Sequence, residues 1–379
     1  MQPMAEQTSD QSVDTTRRAL LGTLAGAGLA APFLAGSRTS RAEPIVLRYT
    51  AHTPRSHGLY THAFVPFAEL VERETAGRLR LVAFTDQLMH DAVDGFKACV
   101  TGISDYTPGY VTYQPGSFDL LHATQLPFLF PTPQVASLVM EELYPKYFKD
   151  EYERMGVYLA HVDCTSPYNI ISKSPIRRLE DLSNIKIRST GGLVAEIFRE
   201  LGASPVALAT PEIYTALQRG VVDAVALSVS DMVSYRLQEI APYYTRIDLN
   251  VLALHFCLSQ RAFDSLPPDL KDQFYRLLRI RSQIAVQNYY SGAGDDRAYA
   301  ALHDGGVEVI DLDEEEHARF RNAVAPLRER FIAQHEAAGR PAAECIAEME
   351  ALAVEYAPLT NAELNARVAT QPVMGIIDL

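Results

Sequence analysis

The segment Ile185 to Ala224, IKIRSTGGLVAEIFRELGASPVALATPEIYTALQRGVVDA, constrains this chain more than any other. Ile185 and Ile187 alternate with Lys186 and Arg188, the two-residue period of a strand. Gly191 and Gly192 then allow a tight turn into Leu193, Ile197 and Leu201, an apolar stripe spaced i, i+4, i+8 along one helix face. Gly202 closes that helix in the position a left-handed residue takes. Thr210 is a candidate N-cap for a second helix, and Pro211 fits its first position, where a missing N–H costs nothing. Gly220 stops this helix, and the apolar run from Val221 to Leu227 reads as a buried strand interrupted by Asp223. Strand, helix, strand implies parallel pairing and an α/β domain.

Arg188 stands at the end of the first strand, beside the amino end of a helix. A guanidinium offers a planar fork of donors, and a helix start adds unpaired N–H groups and a favourable dipole, all suited to a carboxylate. An Arg held in a structural ion pair is the alternative, and the segment alone leaves both open.

The phrases IKIRSTGG, GASPVALATPEIYTALQRGVVDA and SQRAFDSLPPDLKDQF resemble the DctP-type substrate-binding proteins of TRAP (tripartite ATP-independent periplasmic) transporters. So do FAELVERETAGRLRLVAF (Phe67 to Phe84), GISDYTPGYVTYQPG (Gly102 to Gly116) and LPFLFP (Leu126 to Pro131). The resemblance covers nearly all of the chain after the first forty-odd residues. It implies a two-lobed α/β periplasmic solute-binding fold with a ligand cleft between the lobes and a long bridging helix, here beginning at Pro267. One lobe would comprise residues 43–163 with part of 254–293, and the other 164–253 with part of 294–345. Residues 346–379 would then form a C-terminal helical extension. The resemblance also implies a small organic acid as ligand, large and small TRAP membrane subunits as partners, and neither cofactor nor metal.

Carried onto this sequence, the resemblance makes Arg188 the carboxylate anchor, with Gly191 in the turn beside it. The loop after the first strand brings His52 towards the cleft, and the loop following Gln87-Leu88-Met89 brings His90. Acid-binding members often carry a second basic residue about twenty positions before the motif Arg; here Tyr168 falls there. Where many members read Asp-Gly followed closely by Glu-Asn, this chain has Asp223-Ala224-Val225-Ala226-Leu227. The expected cleft is therefore one cation, Arg188, within a wall of Tyr106, Tyr110, Tyr168 and Leu227, suited to a monocarboxylate with an apolar or aromatic body. Core packing of the tyrosines and a solvated loop around His90 are the plainer alternatives.

The amino end points to the same compartment. Arg17 and Arg18 open a Gly- and Ala-rich apolar run, and Ser40-Arg41-Ala42 supplies small residues at −3 and −1 of a cleavage site, so residues 1–42 read as a twin-arginine export signal to the periplasm. The run is broken by glycines and Pro32 and is short for a spanning helix, so no stable membrane insertion is expected after cleavage. That signal holds four Arg and three acids, which leaves 30 basic and 44 acidic side chains beyond it, a net charge of −14. Such acidity speaks against nucleic acid or an anionic membrane surface as partner.

The four cysteines, at 99, 164, 257 and 345, form no CxxC or CxxH pattern and are expected as unpaired buried thiols. His52, His57 and His62 recur every five residues, a spacing that shares neither a helix nor a strand face throughout, so metal binding is not expected. No nucleophile elbow, metalloprotease helix or phosphate loop is present. A secreted enzyme acting on a small acid, through residues such as Asp163 or Asp231, and a ligand-binding module for a sensor are the alternatives to transport. Strands are expected over Ile45–Thr50, Leu79–Phe84, Gly156–Val162 and Leu249–Leu258, and helices over Thr61–Thr75, Pro133–Tyr144, Leu266–Tyr290, Asp313–Ala338 and Ala342–Tyr356.

Overall fold

The structure, a computed structural model, describes residues 43–379; Arg17, Arg18 and the Ser40-Arg41-Ala42 site of the export reading lie outside them. In chain order the strands are β1 (Ile45–Thr50), β2 (Leu79–Phe84), β3 (Tyr106–Pro108), β4 (Val157–Cys164), β5 (Asn169–Ser172), β6 (Lys186–Ser189), β7 (Ser204–Ala207), β8 (Ala224–Leu227), β9 (Tyr243–Arg246), β10 (Ala253–Ser259) and β11 (Glu308–Asp311). They form two mixed sheets, ordered β2-β1-β3-β10-β4 and β11-β9-β5-β8-β6-β7. We call each sheet with its helices a lobe.

The segment from Ile185 to Leu227 folds as its pattern requires. β6 pairs in parallel with both β7 and β8. Leu193, Ile197 and Leu201 are buried on one face of the Gly192–Glu200 helix, and each such side chain removed from water contributes about 1.5 to 3 kcal/mol. Gly191 has φ +97°, a conformation open to glycine and strained for other residues. Gly202 likewise takes a positive φ after the helix. One detail differs: the second helix opens with a 3-10 turn, Thr210–Glu212, whose N-cap is Ala209. Thr210 is the first residue of that turn and not its cap; Glu212 Oε2 accepts from the Ala209 N–H at 3.2 Å, and the Thr210 N–H donates to the Tyr113 hydroxyl at 3.2 Å.

The chain passes between the sheets after β4, after β9 and again before β11. The first two passages run side by side and bond to each other. Thr165 N–H donates to Leu252 O at 3.0 Å, Tyr168 N–H to Asn250 O at 2.8 Å, and Leu249 N–H to Tyr168 O at 3.0 Å. This pairing explains why the apolar run from Leu249 joins β10 only at Ala253: its first residues form the passage between sheets.

The Pro268–Ala285 helix starts with proline in its first turn, packs along β4 and continues as a π-turn, Val286–Tyr290. That turn reaches the second lobe, where the Ser230 hydroxyl donates to Tyr289 O at 2.7 Å and Tyr289 Oη lies 2.7 Å from Ser234 Oγ. This is the bridging helix. Gly58 abuts the Tyr289 ring so closely that a Cβ there would lie 2.0 Å from a ring carbon. The expected Asp313–Ala338 helix is two helices, Glu314–Val324 and Pro326–Ala337, because Pro326 has no N–H to continue the ladder. The Ala342–Tyr356 and Asn361–Thr370 helices pack on the Pro133–Tyr147 helix, and the second also packs on the bridging helix. All four cysteines are buried and unpaired. Among the described residues no helix is long and apolar enough to cross a membrane.

Candidate ligand cleft

The lobes meet around a narrow cavity of about 20 Å³, room for about one water between them as they stand. Two hydrogen bonds cross it: the Thr112 hydroxyl donates to Thr190 Oγ1 at 2.7 Å, and the Tyr113 hydroxyl to Thr210 Oγ1 at 3.4 Å. The first lobe brings His52, His57, Tyr110 and Tyr113 to the lining, and the second brings Thr190, Leu227, Asp231 and Tyr235. Tyr168 and Leu252, from the paired passages, and Tyr290, from the π-turn, complete much of the wall. Residues of the segments that pass between the sheets thus also line the cavity.

Four of the residues expected from sequence, His52, Tyr110, Tyr168 and Leu227, line this space. Arg188 is not among the lining residues and is fully buried. Its Nε donates to Leu208 O at 2.9 Å and its Nη1 to Ala226 O at 3.4 Å, while Nη2 has no partner. Among the described residues no carboxylate lies within ion-pairing distance of it, so the structural ion pair is not what this Arg makes. Its charge is nonetheless felt at Tyr168, Asp231 and Tyr235.

Three expected residues are elsewhere. His90 closes a small network at the ends of β1 and β3, its Nε2 2.8 Å from Thr50 Oγ1 and 3.1 Å from Thr107 Oγ1, and it borders a separate surface depression. Gly191 is outside the lining; its N–H is directed to Ser189 Oγ at 3.4 Å, and its part is the backbone turn. Tyr106 is also withdrawn, wholly buried in β3 with its hydroxyl on the His161 ring.

The cleft is more polar than the sequence suggested. Asp231 sits in the first turn of the Val229–Ser234 helix, which Ser228 caps. Its carboxyl accepts from the hydroxyls of Ser228 (2.7 Å), Tyr289 (2.9 Å) and Tyr290 (3.3 Å). Burial pushes its pKa up to about 6, against those hydrogen bonds and the charge of Arg188. Burial drives the His52 and His57 imidazoles the other way, down to about 3, so both are neutral at ordinary pH. The His57 tautomer is fixed: Nδ1 accepts from the Leu59 N–H at 3.2 Å, which leaves the proton on Nε2. His57 and Tyr290 escaped the sequence reading as cleft residues, and Asp231 entered it only as an acid of the enzyme alternative, because the three come from distant elements with no shared spacing. The one available signal was Ser228-x-x-Asp231, a helix-capping pattern that marks Asp231 as ordered. Among the described residues no cluster of His, Cys, Asp and Glu is suited to a metal ion.

Set beside known proteins, residues 50–335 match the bacterial extracellular solute-binding protein family 7. The C4-dicarboxylate-binding periplasmic protein DctP of Rhodobacter capsulatus is 26% identical over 349 residues, 90% of this chain and 99% of that protein. A TRAP periplasmic solute-binding protein from Bordetella bronchiseptica, solved with bound (R)- and (S)-mandelate, is 25% identical, with 82% of this chain and 99% of that one covered at a TM-score of 0.74. A TRAP solute-binding protein from Rhodoferax ferrireducens, in complex with copurified benzoate, shares the fold at 18% identity and a TM-score of 0.78, over 83% of this chain and 99% of that one.

Proposed function

The chain belongs to the bacterial extracellular solute-binding proteins of family 7 and is a solute receptor of the TRAP class, and from that premise we propose that its ligand is a monocarboxylate with an apolar or aromatic body. The observation that carries this reading is the buried guanidinium of Arg188 with no carboxylate of its own. A ligand carboxylate supplies the missing charge, and the fork geometry favours two parallel N–H bonds. No Lys or Arg is among the cavity-lining residues, and the two lining imidazoles are neutral. A second carboxylate would therefore meet Asp231 in place of a cation, and a buried charge without a partner is heavily penalised. The tyrosines favour a flat apolar body.

The membrane subunits of a TRAP transporter, one large and one small, receive the closed, loaded form in this reading, and binding shifts the open–closed equilibrium through contacts that exist only when both lobes meet. The lobes divide near Asp163 and Ala253. Delivery to the periplasm follows the twin-arginine route, for which Arg17 and Arg18 are responsible. Changing both to Lys should hold precursor in the cytoplasm; undiminished periplasmic protein would refute that route.

Calorimetry with matched acids tests the ligand class. Benzoate or phenylacetate should bind, and succinate and malate should bind far more weakly. A clear preference for succinate or malate over every apolar monoacid would sink the proposal.

A further inference from the structure

The cleft presents a donor and an acceptor that do not satisfy each other. His57 Nε2 carries a proton, is buried and has no hydrogen-bond partner. It lies 3.5 Å from Asp231 Oδ1, at the outer limit of a contact and without forming a hydrogen bond. A carboxylate has about four acceptor sites. On Asp231 three donors are in place, and the weakest of them, Tyr290, straddles both oxygens at 3.3 Å. One acceptor site on Asp231 and one donor on His57 therefore remain, on facing lobes, both bordering the cavity.

We propose that His57 and Asp231 together form a hydroxyl-recognition subsite, so that the ligand is a monocarboxylate bearing a hydroxyl. The proposal rests on the monocarboxylate reading above and narrows it. A hydroxyl oxygen accepts from His57 Nε2 and donates its proton to Asp231, and one atom thereby completes both residues. An ammonium group donates only, which strands the His57 N–H. A second carboxylate accepts only, which sets two anions together. A bare methylene satisfies neither, and a buried polar group left unpaired is costly. His57 thus acts as a specificity-determining residue whose tautomer is held by the backbone N–H of Leu59.

The test is calorimetry of the full-length mature protein with two matched pairs, mandelate against phenylacetate and 3-hydroxybenzoate against benzoate, which place the hydroxyl near to and far from the carboxylate. In at least one pair the hydroxy acid should bind about tenfold or more tightly. His57→Ala should bring that ratio close to one, and His57→Gln, whose amide places an N–H near the Nε2 position, should restore part of it. Equal binding within both pairs, or a preference that survives in His57→Ala, overturns the hydroxyl subsite and leaves the monocarboxylate reading standing. Binding of no member of either pair overturns both. Should His57→Ala fail to fold, the wild-type ratios and His57→Gln decide the matter alone.

Discussion

The first lobe and the cleft treat a buried guanidinium in opposite ways. Arg281, on the bridging helix, is fully buried and lies 3.1 Å from Asp163 Oδ2, and Arg279 lies 3.3 Å from Glu141 Oε1. Asp163 is further tied to His161 Nδ1 at 2.9 Å, and the Arg281 guanidinium lies over the rings of Phe67 and Phe256. All three Arg have N–H groups without hydrogen-bond partners, so orphaned donors do not distinguish them. The counter-charge does. Arg281 and Arg279 have their anions from the fold, whereas Arg188 has carbonyl oxygens only, and in the proposed reading its anion is the ligand's.

The strongest way to break that contrast is Asp163→Asn. It strands the Arg281 charge in the interior and should cost about 3 to 5 kcal/mol in chemical denaturation. A loss below 1 kcal/mol would mean that Arg281 needs its anion no more than Arg188 does.

Protons offer a second route, because acid would create further buried cations with little compensation. Burial lowers the pKa of His52, His57 and His255 to about 3 and of His161 to about 4. A histidine whose folded pKa is depressed gives stability that is present above its unfolded value, near 6.5, and lost as pH falls. Glu141 and Asp231, raised to about 7 and about 6, act in the opposite sense: their contributions are present at low pH and lost as pH rises through those values. Four imidazoles outweigh two carboxyls, and at about 1.4 kcal/mol per unit the net loss between pH 7 and pH 5 is on the order of 4 kcal/mol. Denaturation curves that show equal or greater stability at pH 5 would contradict this assignment.

Arg188→Lys sharpens the comparison at the cleft. A lysine keeps the charge and loses the fork, so binding of a monoacid should weaken by about 1.5 to 3 kcal/mol, roughly ten- to over a hundredfold. Stability should fall by about 1 to 3 kcal/mol as well, less than in Asp163→Asn, because no native carboxylate is left behind but a buried carbonyl of Leu208 or Ala226 loses its donor. Wild-type affinity in the variant would remove Arg188 as the anchor.

Much of the fold was legible where short-range chemistry decides it. β1 and β2 occupy the spans read for them, because apolar runs bounded by turn residues have few alternatives as strands. β3, β5, β9 and β11 were missed: each has three or four residues, and β3 ends in proline. Their conformation is set by neighbours distant in sequence, and strand propensity over so short a run carries little signal. The same division runs through the site. Arg188 was visible because its turn and helix are local, and Tyr168 because it holds a position relative to Arg188. His57 and Tyr235 were not, and Asp231 was singled out only for an enzyme, since a cleft assembled by chain passages at three places has no period to detect. His90 looked equivalent to His52 as a loop histidine after a strand, yet its ring turns to the threonines of β1 and β3 instead of the cavity.

In the proposed reading the burial of Arg188 also governs how fast a ligand is captured. The chain carries a formal net charge of −13, so an approaching carboxylate meets an outer field of its own sign, and the proposed anchor is fully buried and outside the cavity lining. Encounter is then opposed at long range, and added salt, which shortens the reach of that field to about 10 Å at 0.1 M, should raise the association rate constant. Dissociation takes place from a closed, water-poor interior and should respond to salt far less. Such a receptor gathers its ligand by waiting for random arrivals and holding them, and its selectivity resides in residence time.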